Sequence, residues 1–355
     1  MPATPIERIL DLARWAPSGD NTQPWRFELR DERHFVVHAR DTRDWCIYDL
    51  DGRASQIAVG ALLETIAIAA TGEAMRAHYR LRADAPETSP VIEVELDDST
   101  QVAKSPLLPF IKVRTTQRRP LATTPLSLEQ KRALEESVGQ AFRIHWIEGG
   151  AARWRMAKLL FRSARIRLTI PEAYKVHRRI IEWDARFSRD RIPDQAIGLD
   201  AGTLKLMKWV MGSWQRVQFM NRWLSGTLVP RIQLDLLPGY RCAAHFLILA
   251  EKPLETIEDW LEGGRALQRF WLTATRLGLQ LQPEMTPLIF SRYVATSRNF
   301  TVDSAARQAA ARLAAHFQEM IGREVRDKVV FMGRLGIGRM PEARSVRRSS
   351  GELRQ

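Results

Sequence analysis

Cysteine is nearly absent: Cys46 and Cys242 are the only two in 355 residues, and they sit in unrelated contexts. That excludes a disulfide scaffold and a cysteine-based zinc cluster. It fits a reducing compartment, so a cytoplasmic location is expected. The seven histidines are scattered. None falls in His-x-x-His, His-x-His or His-Glu-x-x-His spacing, so zinc catalysis is not expected, nor any metal site. Gly-x-Ser-x-Gly and Walker loops are missing too. No apolar run approaches the roughly 20 residues that span a bilayer. The nearest is the short segment 243–250, so no transmembrane segment is expected. Residues 1–20 lack the continuous apolar stretch of a secretory signal. Gly333-x-x-Gly336-x-Gly338 follows a strand pattern but runs into polar residues and Pro341. Without a helix after it, it is not a dinucleotide fingerprint.

What is present reads as globular: 45% hydrophobic and 27% charged residues, at a length for one large domain or two ordinary ones. The net charge of +13 would attract phosphates, nucleic acid or anionic lipid. Arginines spread over solvated helix faces are the readier account of it. Apolar spacing predicts a helix over 6–15, stopped by Pro17, and a strand pair over 25–29 and 34–38. A helix over 54–72 is apolar nearly all round, hence buried, and a second strand pair covers 75–82 and 91–96. Beyond the Pro106–Pro109 break, Ser127 and Gln130 have capping-box spacing. Helices are expected over 151–170, 264–278 and 305–321, and strands over 143–147, 242–250 and 328–332. Between 198 and 238, Met207, Val210, Trp214, Val217, Met220 and Leu224 share one helical face, with Lys205, Lys208, Arg216 and Arg222 elsewhere. That predicts an amphipathic helix serving as core, lid, partner surface or membrane-surface element.

Three clusters could carry chemistry. Residues 16–25 (Ala-Pro-Ser-Gly-Asp-Asn-Thr-Gln-Pro-Trp) pack a helix end, a small polar loop and a strand start between two prolines. Such a loop can present backbone N–H groups and amides to the polar edge of a planar heterocycle; it is also an ordinary helix–strand connection. Arg114-Thr115-Thr116-Gln117-Arg118 offers two guanidinium forks and a hydroxyl to one phosphate-sized anion. Arg344-Ser345-Val346-Arg347-Arg348 is a second basic cluster late in the chain.

In order and spelling these segments resemble the nitroreductase superfamily, flavoproteins that bind FMN between two subunits. Residues 16–25 look like its Pro-Ser-x-x-Asn-x-Gln-Pro-Trp segment. Arg114, Thr116 and Arg118 match its Arg-x-Ser-x-Arg phosphate motif, with Thr in place of Ser. Arg347, followed by Arg348, resembles the basic pair that closes on the same phosphate, and Ser345 stands where the family commonly has Lys. Residues 278–287 are similar to its Gly-Leu…Pro turn.

The layout departs from the single-subunit pattern. The Pro-Ser loop comes first and the arginine motif about a hundred residues later, each without the other beside it. That is the expected look of two fused halves sharing one site, as in the single-chain, Acg-like branch. The segment 49–72, opening Asp-x-Asp-Gly-Arg, resembles that branch as well.

The resemblance implies an α+β fold of two related halves, each a small mixed sheet wrapped by helices. These would span residues 1–105 and 106–355, with a helical lid-like insertion near 198–238. It implies an FMN-dependent oxidoreductase moving hydride from a nicotinamide donor, NADH or NADPH, to an electron-poor acceptor. Arg114, Thr116, Arg118 and Arg347 would hold the phosphate, and Pro17, Ser18, Gly19 and Asn21 the ring and ribityl. Backbone donors at Met285 or Thr286 would face the reactive nitrogen, and Asn21 would be the catalytic donor. A monomer or weak homodimer without a specific nucleic-acid partner is expected. The alternative is a lidded protein that binds or sequesters flavin without turnover.

Overall fold

In the computed structural model, which describes residues 4–99, 101–224 and 226–355, the alternating segments near the start pair as their spacing predicts. Trp25–Leu29 (β1), His34–Ala39 (β2), Met75–Leu81 (β3) and Val91–Asp98 (β4) form a sheet of order β1-β2-β4-β3, antiparallel throughout. Its inward residues, among them Trp25, Phe27, Phe35, Val37, Ile92 and Val94, pack against Pro5–Ala13 (α1) and Arg53–Thr71 (α2). Thr4 and Glu7 cap α1 reciprocally.

Helix α2 corrects one expectation. Its mean hydropathy of 1.5 makes it long and apolar enough to cross a membrane, although no such run was expected. Because 83% of that window is buried inside the protein, its apolar surface is already spent on packing against the first sheet, α1 and a second long helix.

The second half begins with Leu128–Ser137 (α3), capped by Ser127 and Gln130 as their spacing predicts. Phe142–Ile147 (β5), Gly150–Thr169 (α4) and Pro171–Ile180 (α5) follow. The single amphipathic helix expected over 198–238 is instead broken into Ala201–Val210 (α6), Trp214–Trp223 (α7) and shorter turns ending at Tyr240. Gly212 and Ser213 make the break, and the Ser213 hydroxyl accepts from the Arg216 amide at 3.3 Å as the new cap. Ala244–Ala250 (β6) is buried at every residue. Ile257–Arg276 (α8) starts seven residues before the expected 264, where Thr256 and Asp259 form a capping box. Gln280–Pro283 (β7), Thr286–Ala295 (α9), Ser304–Ile321 (α10) and Val329–Gly336 (β8) complete the half. The second sheet has order β7-β8-β6-β5, again antiparallel. Strand β8 runs through Gly333 rather than ending there: a Cβ on Gly333 would lie 2.7 Å from the Gln282 carbonyl oxygen, so this glycine marks close strand approach.

The two halves meet where α2 crosses α8. A Cβ on Gly60 would lie 2.0 Å from the Leu261 carbonyl oxygen, and one on Gly264 2.1 Å from that of Ile57. The helix backbones therefore touch. Beside the crossing, Glu64 receives Arg265 and Arg269 at 2.9 Å each, and Gln268 donates to Thr65 at 2.9 Å. Each sheet takes its parallel element from one bridge, Phe27 to Arg354 in the first and Thr116 to Leu281 in the second. The last residues thus return to the edge of the first sheet, with the Gln355 amide donating to the Phe27 carbonyl at 2.9 Å.

Candidate functional site

A cavity of about 790 Å³ lies between the halves, toward the upper end of the ~300–1,000 Å³ usual for ligand pockets. Pro17, Ser18, Gly19, Asn21, Arg114, Thr116, Arg118, Met285, Thr286 and Arg347 all line it. Residues about a hundred to three hundred positions apart in sequence are thereby brought to one wall system.

The 17–23 loop is strained and over-determined. Asp20, Asn21 and Gln23 all have positive φ (51°, 62° and 49°), a conformation that costs non-glycine residues and persists only when neighbours enforce it. Gln23 does much of the enforcing. Its amide donates to Ser18 Oγ at 3.0 Å, its side-chain NH2 donates to the Asn21 and Arg189 carbonyls, and its Oε1 accepts from the Arg348 amide. Asn21 is used in the same way. Its NH2 donates to the Arg191 and Val346 carbonyls at 3.2 Å each, while its Oδ1 is buried without a partner. The expected donor thus spends both hydrogens tying the loop to two later segments, and an acceptor is what remains. Gly19 opens on free space: a Cβ there would meet nothing within 4 Å.

The arginine motif is pinned beside β7 by the Thr116–Leu281 bridge, with the Gln117 amide donating to the Leu281 carbonyl at 3.0 Å. Arg114, Thr116 and Arg118 line the cavity, while the Gln117 side chain donates to the Arg339 carbonyl. Arg114 is 3% exposed, donates to the Trp15 carbonyl at 2.9 Å, and lies over the Trp271 ring at 4.6 Å. Arg347 donates through Nε to the Ala16 carbonyl at 3.1 Å and through Nη1 to that of Val346. Both arginines are therefore tied to the residues just ahead of Pro17. Arg344 joins them, donating to the Lys112 and Arg114 carbonyls. Among the described residues none of these three pairs with a carboxylate, and the Nε atoms of Arg114 and Arg344 have no partner. Burial, reinforced by Arg347 and Arg344, holds Arg114 well below the usual guanidinium range, and burial with Arg344 and Arg14 brings Arg347 down to about 9. Such a cluster calls for an anion.

Arg348 is not part of it. It pairs with Asp190 at 3.1 Å and does not line the cavity. Arg344 backs Arg114 and Arg347 from behind, hydrogen-bonded to the Arg114 carbonyl, without lining the cavity itself. Arg118 stands apart, donating to the Ala196 carbonyl. Burial lowers it to about 10, against the attraction of Asp20, while burial pushes Asp20 up to about 6.

Sequence reasoning missed the opposite wall. Tyr48 Oη lies 2.8 Å from His177 Nε2, and burial together with Arg167 lowers His177 to about 3, so the imidazole is neutral. Arg167 grips Asp235 through two contacts at 2.8 and 3.0 Å. All four line the cavity. Behind β7, Glu284 joins His245 at 2.7 Å and Arg334 at 2.7 Å in a wholly buried network. Burial opposes the charge on His245, but Glu284 outweighs it and raises the imidazole to about 10. No spacing advertises these groups, because each comes from a different element. Tyr48, immediately before the Asp-x-Asp-Gly-Arg segment, was the one within reach. Apolar cover comes from the broken 201–236 segment: Met207, Val210, Val217, Met220 and Leu224 line the cavity, while Trp214 packs on Tyr174 instead. Among the described residues no group of three His, Cys, Asp or Glu could hold a metal ion.

No protein-family model matches the chain. An uncharacterized protein of Mycobacterium tuberculosis (strain CDC 1551 / Oshkosh) is 24% identical over 339 residues, 93% of this chain; the chain spans about half (46%) of that relative's length. Among solved structures, the chain is similar to the FMN-dependent nitroreductase NfnB from Mycobacterium smegmatis in complex with NADPH. Identity there is 17%, with 69% of this chain and 95% of that one covered and a TM-score of 0.37. A nitroreductase with bound FMN from Bacteroides fragilis matches at 11% identity, 66% and 89% coverage, TM-score 0.34. A putative nitroreductase from Anabaena variabilis matches at 12%, 86% and 69%, TM-score 0.43.

Proposed function

We propose that the chain is an FMN-dependent oxidoreductase of the nitroreductase superfamily, with one site built by two fused halves, acting in the cytoplasm as a monomer or weak homodimer. One observation carries the reading: buried Arg114 and Arg347, neither paired with a carboxylate among the described residues, converge beside a strained Pro-Ser-Gly-Asp-Asn loop on the wall of an apolar cavity. A phosphate dianion supplies the missing charge, and the unpartnered Arg114 Nε supplies a donor for it. Bound FMN would supply two-electron chemistry, accepting hydride from NADH or NADPH and yielding it to an electron-poor acceptor.

The chain's own part is grip and orientation. Arg114, Thr116 and Arg347 hold the phosphate, with Arg344 steadying the Arg114 backbone behind them. Pro17, Ser18 and Gly19 form a rigid edge for the ring, and the open side of Gly19 leaves room for it. Asn21 locks that edge to Val346, the residue before Arg347. Thr286, in the first turn of α9, offers a backbone N–H that no intrahelical acceptor takes. Arg118 places a positive charge near Asp20.

The visible spectrum of the purified protein, followed by anaerobic NADH or NADPH addition, tests this. A yellow protein bleached by either donor is expected. A protein that takes up no added FMN overturns the assignment. A second reading, flavin held without turnover, is favoured by the apolar cover of Met207, Val217 and Met220 over the cavity. A yellow protein that neither donor bleaches would select it.

A further inference from the structure

The cover has two faces, and only one of them is spent on the cavity. Trp209, Phe219 and Trp223 are 52%, 54% and 66% exposed, and none of them lines the cavity. Of the seventeen large hydrophobic side chains exposed among the described residues, ten lie between Leu206 and Tyr240, and seven of these, all but Leu206, Leu224 and Val229, do not line the cavity. That concentration makes a patch rather than the scatter normal on a protein surface. The charge on the same stretch is one-sided. From Ala201 to Leu234 there are five cations, Lys205, Lys208, Arg216, Arg222 and Arg231, and no Asp or Glu. Arg231 turns inward to the Phe161 carbonyl and ring. Lys208 is matched by Asp184 from the neighbouring turn, and Asp200, the cap of α6, is engaged by Gln233. Lys205, Arg216 and Arg222 remain outward, and Arg216 and Arg222 lie over the Trp209 and Trp223 rings at 4.7 and 5.2 Å.

We propose that this outer face of the 201–236 cover docks on the surface of an anionic lipid bilayer. Indole and phenyl rings beside cationic side chains suit the headgroup boundary, where rings sit among acyl chains and cations meet lipid phosphates. The cytoplasmic leaflet carries the required negative potential. A second copy of this chain fits less well, because a self-complementary contact would set this cationic face against itself. The break at Gly212–Ser213 lays α6 and α7 out as two short helices, each carrying exposed rings. Docking of this face does not depend on what the cavity holds, yet the segment that meets lipid is the one that covers the cavity.

Co-sedimentation of the full chain with phosphatidylcholine vesicles, with and without phosphatidylglycerol, tests the docking. Partition into the anionic vesicles at low salt is expected, with little into phosphatidylcholine alone. The double variant Trp209→Ala/Trp223→Ala should lower that partition about tenfold or more, and Lys205→Glu/Arg222→Glu should abolish it. Circular dichroism and flavin uptake should match the parent in both, since these side chains lie outside the cavity. Absence of partition at low salt overturns the proposal. So does partition that survives loss of both tryptophans, which would be charge attraction alone. A dimer dissolved by the tryptophan changes, without vesicle binding, would make the face a contact between copies. Retention on nucleic acid in place of vesicles would equally sink the lipid assignment.

Discussion

Arg114 has a donor left over, a ring beneath it and, among the described residues, no carboxylate paired with it. Its burial as a cation costs stability that the Trp15 carbonyl and the Trp271 ring offset in part and a bound anion would offset further. Arg114→Gln should therefore weaken FMN binding about ten- to hundredfold, the worth of one or two charged hydrogen bonds at roughly 1.5–3 kcal/mol. The melting temperature of the FMN-free protein should hold or rise. Fluorescence titration and thermal unfolding read the two effects separately, and a drop in both would make Arg114 a packing residue. Asp20 gives a pH signature. Its carboxyl, raised to about 6, is neutral below that pH and adds negative charge to the anion site above it. The affinity ratio of Asp20→Asn to the parent should be near one at pH 5 and should grow as pH rises through about 6; a flat ratio would place Asp20 too far away to matter. Neutrality also favours the fold. The native carboxyl holds its proton between its ordinary range near 4 and about 6 whereas the unfolded one does not, so its contribution to stability falls as pH rises through that window. Asn21 shows how a motif letter can keep its place and change its work: the spelling marked a donor, and the geometry shows both hydrogens committed to backbone.

Among the elements, α2 and α8 are the most constrained pair. Gly264→Ala would set a methyl 2.1 Å from the Ile57 carbonyl oxygen, so the helices must separate. Overpacking of this kind costs about 1–3 kcal/mol or more, and because the cavity is walled by both halves, flavin affinity should fall together with the melting temperature. Gly19→Ala, with open space around its Cβ, should leave the melting temperature unchanged. Equal thermal stability in both variants would contradict the contact at the crossing. The helix and strand positions themselves were largely legible, because capping boxes at Ser127–Gln130 and period-two or all-apolar runs fix local structure directly. The break of the 201–236 segment was less so: a uniform apolar face suggested continuity, and one Gly-Ser pair with a capping hydroxyl overrode it. Strand β8 was expected to stop at Gly333 because a strand glycine reads as an end when the opposing strand is unknown.

At the scale of the whole molecule, the site was readable where one segment carries several of its residues, as 17–21 and 114–118 do, and unreadable where it is assembled from single residues. Tyr48, His177, Arg167 and Asp235 come from four elements, and nothing local to any of them signals the others. The same holds for Glu284, His245 and Arg334, whose effect is global. His245, raised to about 10, contributes stability that is fully present below its ordinary value near 6.5 and is lost as pH rises through about 10. Denaturant unfolding should therefore show stability falling between pH 6.5 and 10. His245→Gln should flatten that slope while costing several kcal/mol, about the 3–5 expected when one partner of a buried pair is removed. A slope unchanged by the substitution would mean that the imidazole is neutral.

The backbone contact between Gly60 and Gly264 has a last consequence, for how such a site can drift. In a pocket shared by two identical subunits every substitution occurs twice and both copies must tolerate it. Here the loop wall and the arginine wall are written once each, so a mutation alters a single side. Dilution cannot part them either: mass action has no hold on two walls joined by one covalent chain.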